Sequence, residues 1–157
     1  METKKDLWYN YQGEKISEPY QQRDPDFFDE TGKPLWEKLQ HSDSDGFDVR
    51  EDVCEIILPV GTRLVRYGHP AGYYTAPAGT EYEELSLPYL KESLPYHEYV
   101  VKDTCNVLLC IVTKGIVAPG FNNPGGGVQF KHRCTIQQEM SRGVLEEDFS
   151  WLIRQHQ

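Results

Sequence analysis

The sequence has no long hydrophobic run, and this absence argues against a membrane-spanning helix. The longest apolar run lies near residues 107–112, whereas a helix that crosses a bilayer needs about 20 apolar residues. No apolar segment follows the charged residues at the N-terminus, so we predict no Sec signal peptide in this numbering. Localisation stays open between the cytoplasm, export by a non-Sec route and a secreted chain after processing.

Positive charge is scarce. The chain carries 16 Lys and Arg against 25 Asp and Glu, which gives a net charge of −9. A protein this acidic is repelled by phosphate backbones, so we predict no general binding to nucleic acid.

Cysteines are few and widely spaced. The four cysteines form no C-x-x-C pair, which leaves no zinc or redox motif. We therefore predict no metal site and no cofactor, and we expect reduced, mostly buried thiols. One or two long-range disulfides are the alternative if the protein is exported.

The chain of 157 residues is long enough to form one core without metal or disulfide support. From residue 53 onward, short β-rich runs at 53–58, 62–67, 72–77, 96–102, 107–117 and 128–131 are separated by Gly and Pro turns. Short helices are predicted at 135–140 and 145–154. Because the connections are short, the sequence predicts an α+β fold: a β-rich, mainly antiparallel sheet with short helices.

Residues 1–50 differ from the rest because they are acidic and rich in aromatics. Asp24 and Pro25 have the residue types of a helix start, and Leu35, Trp36 and Leu39 suggest a second short helix. We predict an N-terminal helical lobe over 1–50 that packs on a main domain over 51–157. The Ser-Asp-Ser-Asp-Gly run at 42–46 lacks the later Glu of a calcium loop, so we interpret it as a solvated turn.

Two stretches contain no acidic residue at all. They span 59–80 and 104–138, and together they hold nine of the thirteen glycines. One interpretation is that they reserve a local positive site for a small anion. The other is that core strands and turns are poor in acids anyway, and composition does not separate the two.

Five side chains in or near these stretches are candidates for chemistry. The fork-shaped guanidinium of Arg66 suits phosphate oxygens, and Tyr67 and Tyr74 can stack on a ring. His97 can exchange a proton, and Gln129 offers both a donor and an acceptor beside the glycines at 125–127. For each of them a structural role is the alternative. No serine nucleophile elbow or zinc-protease motif is present.

Taken in order, the motifs resemble the TNT domain, the NAD glycohydrolase of the tuberculosis necrotizing toxin type, which also occurs in fungal surface NADases. The resemblance covers about residues 56–130. It rests on Leu58-Pro59-Val60-Gly61, Arg66-Tyr67-Gly68, Gly72-Tyr73-Tyr74, Ala76-Pro77-Ala78-Gly79, Ser86-Leu87-Pro88, Tyr96-His97-Glu98-Tyr99-Val100, Ile116-Val117-Ala118-Pro119 and Pro124-Gly125-Gly126-Gly127-Val128-Gln129-Phe130.

The resemblance implies hydrolysis of NAD or NADP, bound as substrate, with release of nicotinamide. By motif it implies that Arg66, Gln129 and His97 are the catalytic residues. It also implies that four residues bind substrate: Tyr67, Tyr74, Gly127 and Phe130. An active enzyme of this type, acting as a toxin or effector, implies an immunity protein as a partner that protects the host.

One position departs from the family pattern. The family usually has an arginine immediately before the Ser/Ala-Leu-Pro motif, and here that residue is Leu85. A lost charge-assisted hydrogen bond to phosphate weakens binding by roughly 10- to 150-fold. Either Arg63, Lys91 or Arg133 compensates, or the substrate differs, or activity is lost. The alternatives in function are a nucleotide-binding module without catalysis, a cyclase or transferase relative, and an interaction domain that does not respond to nucleotides.

Overall fold

The chain folds around one seven-stranded sheet. The computed structural model describes residues 8–16, 25–102 and 110–155. Within them the strands of the sheet are β3 (Cys54–Ile57), β4 (Arg63–Tyr67), β5 (Tyr74–Pro77), β6 (Tyr96–Val101), β7 (Ile111–Ile116), β8 (Val128–His132) and β9 (Leu145–Glu147). Their order across the sheet is β3-β7-β8-β5-β4-β6-β9, and every neighbouring pair is antiparallel. The predicted β-rich antiparallel fold is confirmed.

The prediction of an N-terminal helical lobe is not supported. In the described part of residues 1–50, β1 (Trp8–Tyr9) pairs with β2 (Lys15–Ile16) in a separate two-stranded sheet. The expected helices are single 3₁₀ turns at Pro25–Phe27 and Trp36–Lys38. Gly32 and Pro34 interrupt the chain between them, which leaves too few residues for a stable α-helix. The capping role predicted for Asp24 lies outside the described residues.

The C-terminal region contains a strand where a helix was predicted. The helix α1 (Ile136–Ser141) forms at the predicted place, and the side chain of Thr135 caps it by accepting a hydrogen bond from the Gln138 backbone. The prediction of one helix over 145–154 is wrong in its first part, because β9 there pairs with β6 and forms the edge of the sheet. The helix α2 (Ser150–Gln155) begins only after Asp148, which accepts from the backbone N–H of Ser150.

The sheet has two different faces. On the helix face, the side chains of Leu64, Tyr99, Val112 and Phe130 pack with Ile136 of α1. The loop face carries a second buried cluster: Val65, Ala76, Leu85 and Val117. It is covered by the 3₁₀ turn Tyr82–Leu85, which contributes Leu85. Because neighbouring residues of a strand alternate between faces, these two clusters define where every other strand side chain lies.

A buried polar cluster formed by Thr75, His132 and Glu139 connects the sheet to α1. His132 Nε2 lies 2.6 Å from the hydroxyl oxygen of Thr75 on the neighbouring strand β5. On its other side, His132 Nδ1 lies 2.8 Å from the carboxylate of Glu139 in α1, although the two atoms lack the alignment of a hydrogen bond. All three residues are buried. Removal of one member therefore leaves a polar or charged group in the core without a partner.

We predict that His132→Leu lowers the free energy of unfolding by about 3–5 kcal/mol, because it leaves the Glu139 carboxylate buried and unpaired. Urea unfolding followed by circular dichroism measures the effect. The double variant His132→Leu/Glu139→Leu should recover part of the loss, since an apolar pair tolerates burial.

The matched control is Lys102→Ala, which breaks an exposed pair with Glu146 at 4.0 Å and should cost less than about 1 kcal/mol. Equal losses in His132→Leu and Lys102→Ala would contradict a structural role for the buried group.

Candidate functional site

The register of the sheet separates the predicted site residues into two groups. Arg66 and His97 are direct partners across β4 and β6, so both side chains belong to the helix face. Val65 pairs with Ala76, and Tyr74 pairs with Lys131. Alternation along β4, β5 and β8 then places Tyr67, Tyr74 and Gln129 together on the loop face. Phe130 points the other way and is buried in the cluster of the helix face.

Arg66 holds the turn between β4 and β5. Its Nε and Nη2 donate to the carbonyl oxygen of His69 at 3.0 and 2.8 Å, and its Nη1 donates to the carbonyl oxygen of Tyr74 at 2.9 Å. Gly72 leaves room for the guanidinium, since a Cβ at this position would lie 2.1 Å from Nη2. Burial lowers the pKa of Arg66, but a guanidinium stays charged in proteins. Three of its five N–H groups thus bind backbone.

His97 lies in an enclosed polar cluster. Its Nδ1 is 2.8 Å from the carboxylate of Glu147 on β9, and its Nε2 is buried without a hydrogen-bond partner among the described residues. The ring stacks on Tyr99, with centroids 5.8 Å apart. Trp8 packs edge-on against His97 at 5.9 Å and stacks on His69 at 5.2 Å. Sequence reasoning missed Trp8 because it lies outside every motif.

Tyr74 lines a cleft on the loop face of the sheet. The cleft has a volume of about 570 Å³ and is lined by Tyr73, Tyr74, Lys131 and Arg133, among others. Asp45 reaches it from the N-terminal turn, and its Oδ1 accepts from Lys131 Nζ at 2.8 Å and from the Tyr74 hydroxyl at 3.3 Å. Burial, together with Asp45, raises the pKa of Tyr74 to about 12. The turn interpreted as solvated therefore contributes a side chain to this cleft.

Gln129 follows the glycine-rich loop, which is fixed by backbone contacts. Gly127 donates its N–H to the carbonyl of Glu84 at 3.1 Å, and a Cβ on Gly127 would lie 2.9 Å from the Glu84 Cβ. Gly115 is the strand partner of Gln129 on β7, and the ring of Phe47 packs where a Cβ on Gly115 would lie. Gln129 itself is half-buried.

Tyr67 and Leu85 take part in packing on the same face. Burial raises the pKa of Tyr67, whose ring contacts those of Tyr82 and Tyr96 with centroids 5.5 and 5.0 Å apart. Leu85 is 9% exposed and packs with Val65, among other residues of the cluster. The residue at the family's arginine position therefore serves the core here.

The three cations considered as replacements for that arginine have different surroundings. The guanidinium of Arg63 forms a salt bridge with the carboxylate of Asp148. Lys91 lies 3.4 Å from Glu83 and 4.3 Å from the centre of the Tyr11 ring. Arg133 lines the cleft next to Tyr74, with its Nη2 3.5 Å from Glu55. Of the three, Arg133 is the one that shares a described cleft with a predicted site residue.

The described part of the chain contains no group of three or more His, Cys, Asp or Glu side chains placed to hold a metal ion. Its helices are all too short or too polar to cross a membrane. Cys54, Cys110 and Cys134 are free, and Cys105 lies outside the described residues.

Comparisons with known proteins identify relatives of this chain. The chain is 38% identical over 93 residues to the conidial surface nicotinamide adenine dinucleotide glycohydrolase nadA of Aspergillus fumigatus; the aligned part is 56% of this chain and 38% of that protein. The chain thus spans well under half the length of this relative.

A solved structure described as tuberculosis necrotizing toxin complexed with its immunity factor superimposes with a TM-score of 0.55. The match covers 88% of this chain and 94% of the toxin chain at 18% identity, and it shows a shared fold. The sequence pattern of the family described as tuberculosis necrotizing toxin matches residues 57–147, more than half of the chain. The chain therefore belongs to the tuberculosis necrotizing toxin family.

Proposed function

We propose that the protein is an NAD glycohydrolase that cleaves the nicotinamide N-glycosidic bond of NAD or NADP and acts as a toxin or effector. The observation that carries the proposal is the position of Gln129. By alternation along β8, the Gln129 side chain belongs to the loop face, which also carries Tyr74 and the cleft lined by Lys131, Arg133, Asp45 and Glu55. The similarity to the fungal NAD glycohydrolase supports the same reaction.

The reaction needs little acid catalysis. In NAD the nicotinamide nitrogen is already positively charged, so it takes the electron pair of the breaking bond and leaves as a neutral ring. The ribose C1′ passes through an oxocarbenium-like state and gains the oxygen of water, which releases one proton. Gln129 hydrogen-bonds the ribose or the attacking water in that state. The products are nicotinamide and ADP-ribose, or its phosphate from NADP.

The hydroxyl of Tyr74 acts as a neutral hydrogen-bond donor, and its aromatic ring borders the cleft. Its pKa of about 12 keeps the hydroxyl protonated across the physiological range. Tyr67 lies deeper in the same face, and its ring is held by Tyr82 and Tyr96. Together the two rings exclude bulk water from the nicotinamide ribose.

Arg66 and His97 support the site from the other side of the sheet. Arg66 is a positioning residue, because it binds the carbonyl of Tyr74 and thereby holds the backbone of that residue. His97 keeps one ring nitrogen without a partner among the described residues. Because it belongs to the helix face, it too acts as a positioning residue and does not touch substrate bound on the loop face.

An immunity protein is the proposed partner. The tuberculosis toxin of similar fold was solved in complex with its immunity factor. An enzyme that consumes NAD harms the cell that makes it, so a protein that covers the loop-face cleft would protect that cell.

The second candidate is a nucleotide-binding module without catalysis. Leu85 favours it, because the usual arginine is replaced by a side chain buried in the core. A cyclase or transferase reaction on the same substrate is a further alternative, and it would yield products other than free ADP-ribose.

We expect the purified chain to release nicotinamide from NAD and Gln129→Ala to lose at least about a hundredfold in turnover, because the transition state loses a preorganised donor. Chromatography of nicotinamide and ADP-ribose measures both. The control is Gln137→Ala, an exposed position on α1, which should behave as wild type.

Equal turnover in Gln129→Ala and wild type would contradict the role of Gln129. Failure of the wild type to release nicotinamide, while NAD still raises its melting temperature, would instead support the binding module.

A separate prediction concerns Arg66→Lys, which keeps the positive charge but removes the planar guanidinium group. We expect it to lower the free energy of unfolding by about 1–3 kcal/mol, because the carbonyls of His69 and Tyr74 lose the guanidinium N–H groups that donate to them. Thermal and urea unfolding measure the loss. The control is Arg63→Lys, three residues earlier on the same strand and exposed, where we expect a change within about 0.5 kcal/mol.

If Arg66→Lys is as stable as wild type while its KM for NAD rises, Arg66 is a direct substrate ligand and not a clamp on the turn.

A further inference from the structure

We propose that Lys131 and Arg133 form the diphosphate subsite of this protein and take the place of the arginine that Leu85 replaces. The inference rests on the proposed function, because it assigns a ligand group to the cleft on the same face of the sheet as Gln129. It names a binding role for two side chains that the motifs do not cover.

Position along β8 is the first argument. On β8, Gln129 and Lys131 alternate with the inward-facing Phe130 and His132, so their side chains lie on the loop face. Arg133 directly follows the strand and lines the same cleft as Lys131. Residues two apart on a strand are separated by about 7 Å. In a dinucleotide the diphosphate follows the nicotinamide ribose directly. A dinucleotide whose ribose lies at Gln129 and which extends along β8 into the cleft brings its nearer phosphate to Lys131, two residues along the strand, and its second phosphate towards Arg133.

The carboxylate of Asp45 is the second argument, because it shows that this place holds an oxyanion. One of its oxygens accepts from Lys131 Nζ at 2.8 Å and from the Tyr74 hydroxyl at 3.3 Å. A phosphate oxygen requires the same kind of donors. The ammonium and the neutral hydroxyl thus converge on a single anionic oxygen beside the cleft.

Exposure is the third argument. The side chains of Lys131 and Asp45 are 38% and 33% exposed, and Arg133 meets Glu55 only at 3.5 Å with both groups about half-exposed. Partly exposed pairs of this kind contribute little to stability. A diphosphate with two charges can therefore replace the two carboxylates as the partner of the cations.

Asp45 is consequently a competitor of the substrate for Lys131. The backbone N–H of Asp45 is held by the side chain of Asp43 at 2.8 Å, so the turn does not depend on the Asp45 carboxylate. Removal of that carboxylate should leave the turn in place and free the donors.

The test is ADP binding by calorimetry at low salt, alongside KM for nicotinamide release from NAD. We expect Lys131→Gln to weaken ADP binding and to raise KM by about tenfold or more, because it removes a charge-assisted hydrogen bond. Arg133→Gln should have a smaller effect in the same direction, and Asp45→Ala should tighten ADP binding several-fold. Higher salt should reduce these differences.

The matched control is Lys114→Gln, which makes the same charge change on the adjacent strand β7. Lys114 pairs with Phe130 and therefore belongs to the opposite face of the sheet. It should bind ADP as wild type does.

The two proposals fail in different ways. Nicotinamide release with an unchanged KM and unchanged ADP binding in Lys131→Gln would overturn the subsite and leave the proposed function standing. Absence of nicotinamide release, together with ADP binding that Lys131→Gln weakens and Lys114→Gln does not, would overturn the proposed function and support the subsite. Weaker ADP binding in Asp45→Ala would overturn the competition.

Discussion

The register between β8 and its neighbours is the constraint on which the rest of this structure depends. Phe130 must face α1 to fill the core, and this places Gln129 and Lys131 on the other face because strand side chains alternate. A shift of one residue would bury Gln129 and expose Phe130. The hydrophobic cost of that exchange, roughly 1.5–3 kcal/mol for Phe alone, holds the polar site in place. The core therefore specifies the site.

Glycine has a local function at the two turns that border the site. Gly72 makes room for the Arg66 guanidinium, and Gly127 allows the chain to approach Glu84. In both cases a side chain would collide with the atoms that fix the turn. These glycines therefore provide close approach between chain segments inside the protein. They fix the backbone near Tyr74, which lines the cleft, and near Gln129 on the same face of the sheet.

The N-terminal region contributes to both faces of the sheet although it lies outside the matched family segment. Trp8 packs against His97 on one face, and Asp45 contacts Tyr74 and Lys131 on the other. Phe47 is 1% exposed and packs where a Cβ on Gly115 would stand, so it anchors this region to β7. The family segment thus supplies the strands that carry the proposed chemistry, and the N-terminal region modifies the surroundings of these strands.

The amino-acid pattern alone predicts the strands, the antiparallel sheet and the motifs that carry Arg66, Tyr74 and Gln129. These features are local: alternation of apolar residues and Gly or Pro turns specify strands over a few residues. It did not determine the loss of the helical lobe or the strand β9, because short segments take their conformation from the edge on which they pack. The folded chain was needed to show that Arg66 and His97 lie on the face opposite Gln129, and that Asp45 contacts Lys131. Those contacts join residues far apart in the chain, and the pairing of strands across the sheet, which no local pattern records, brings them together.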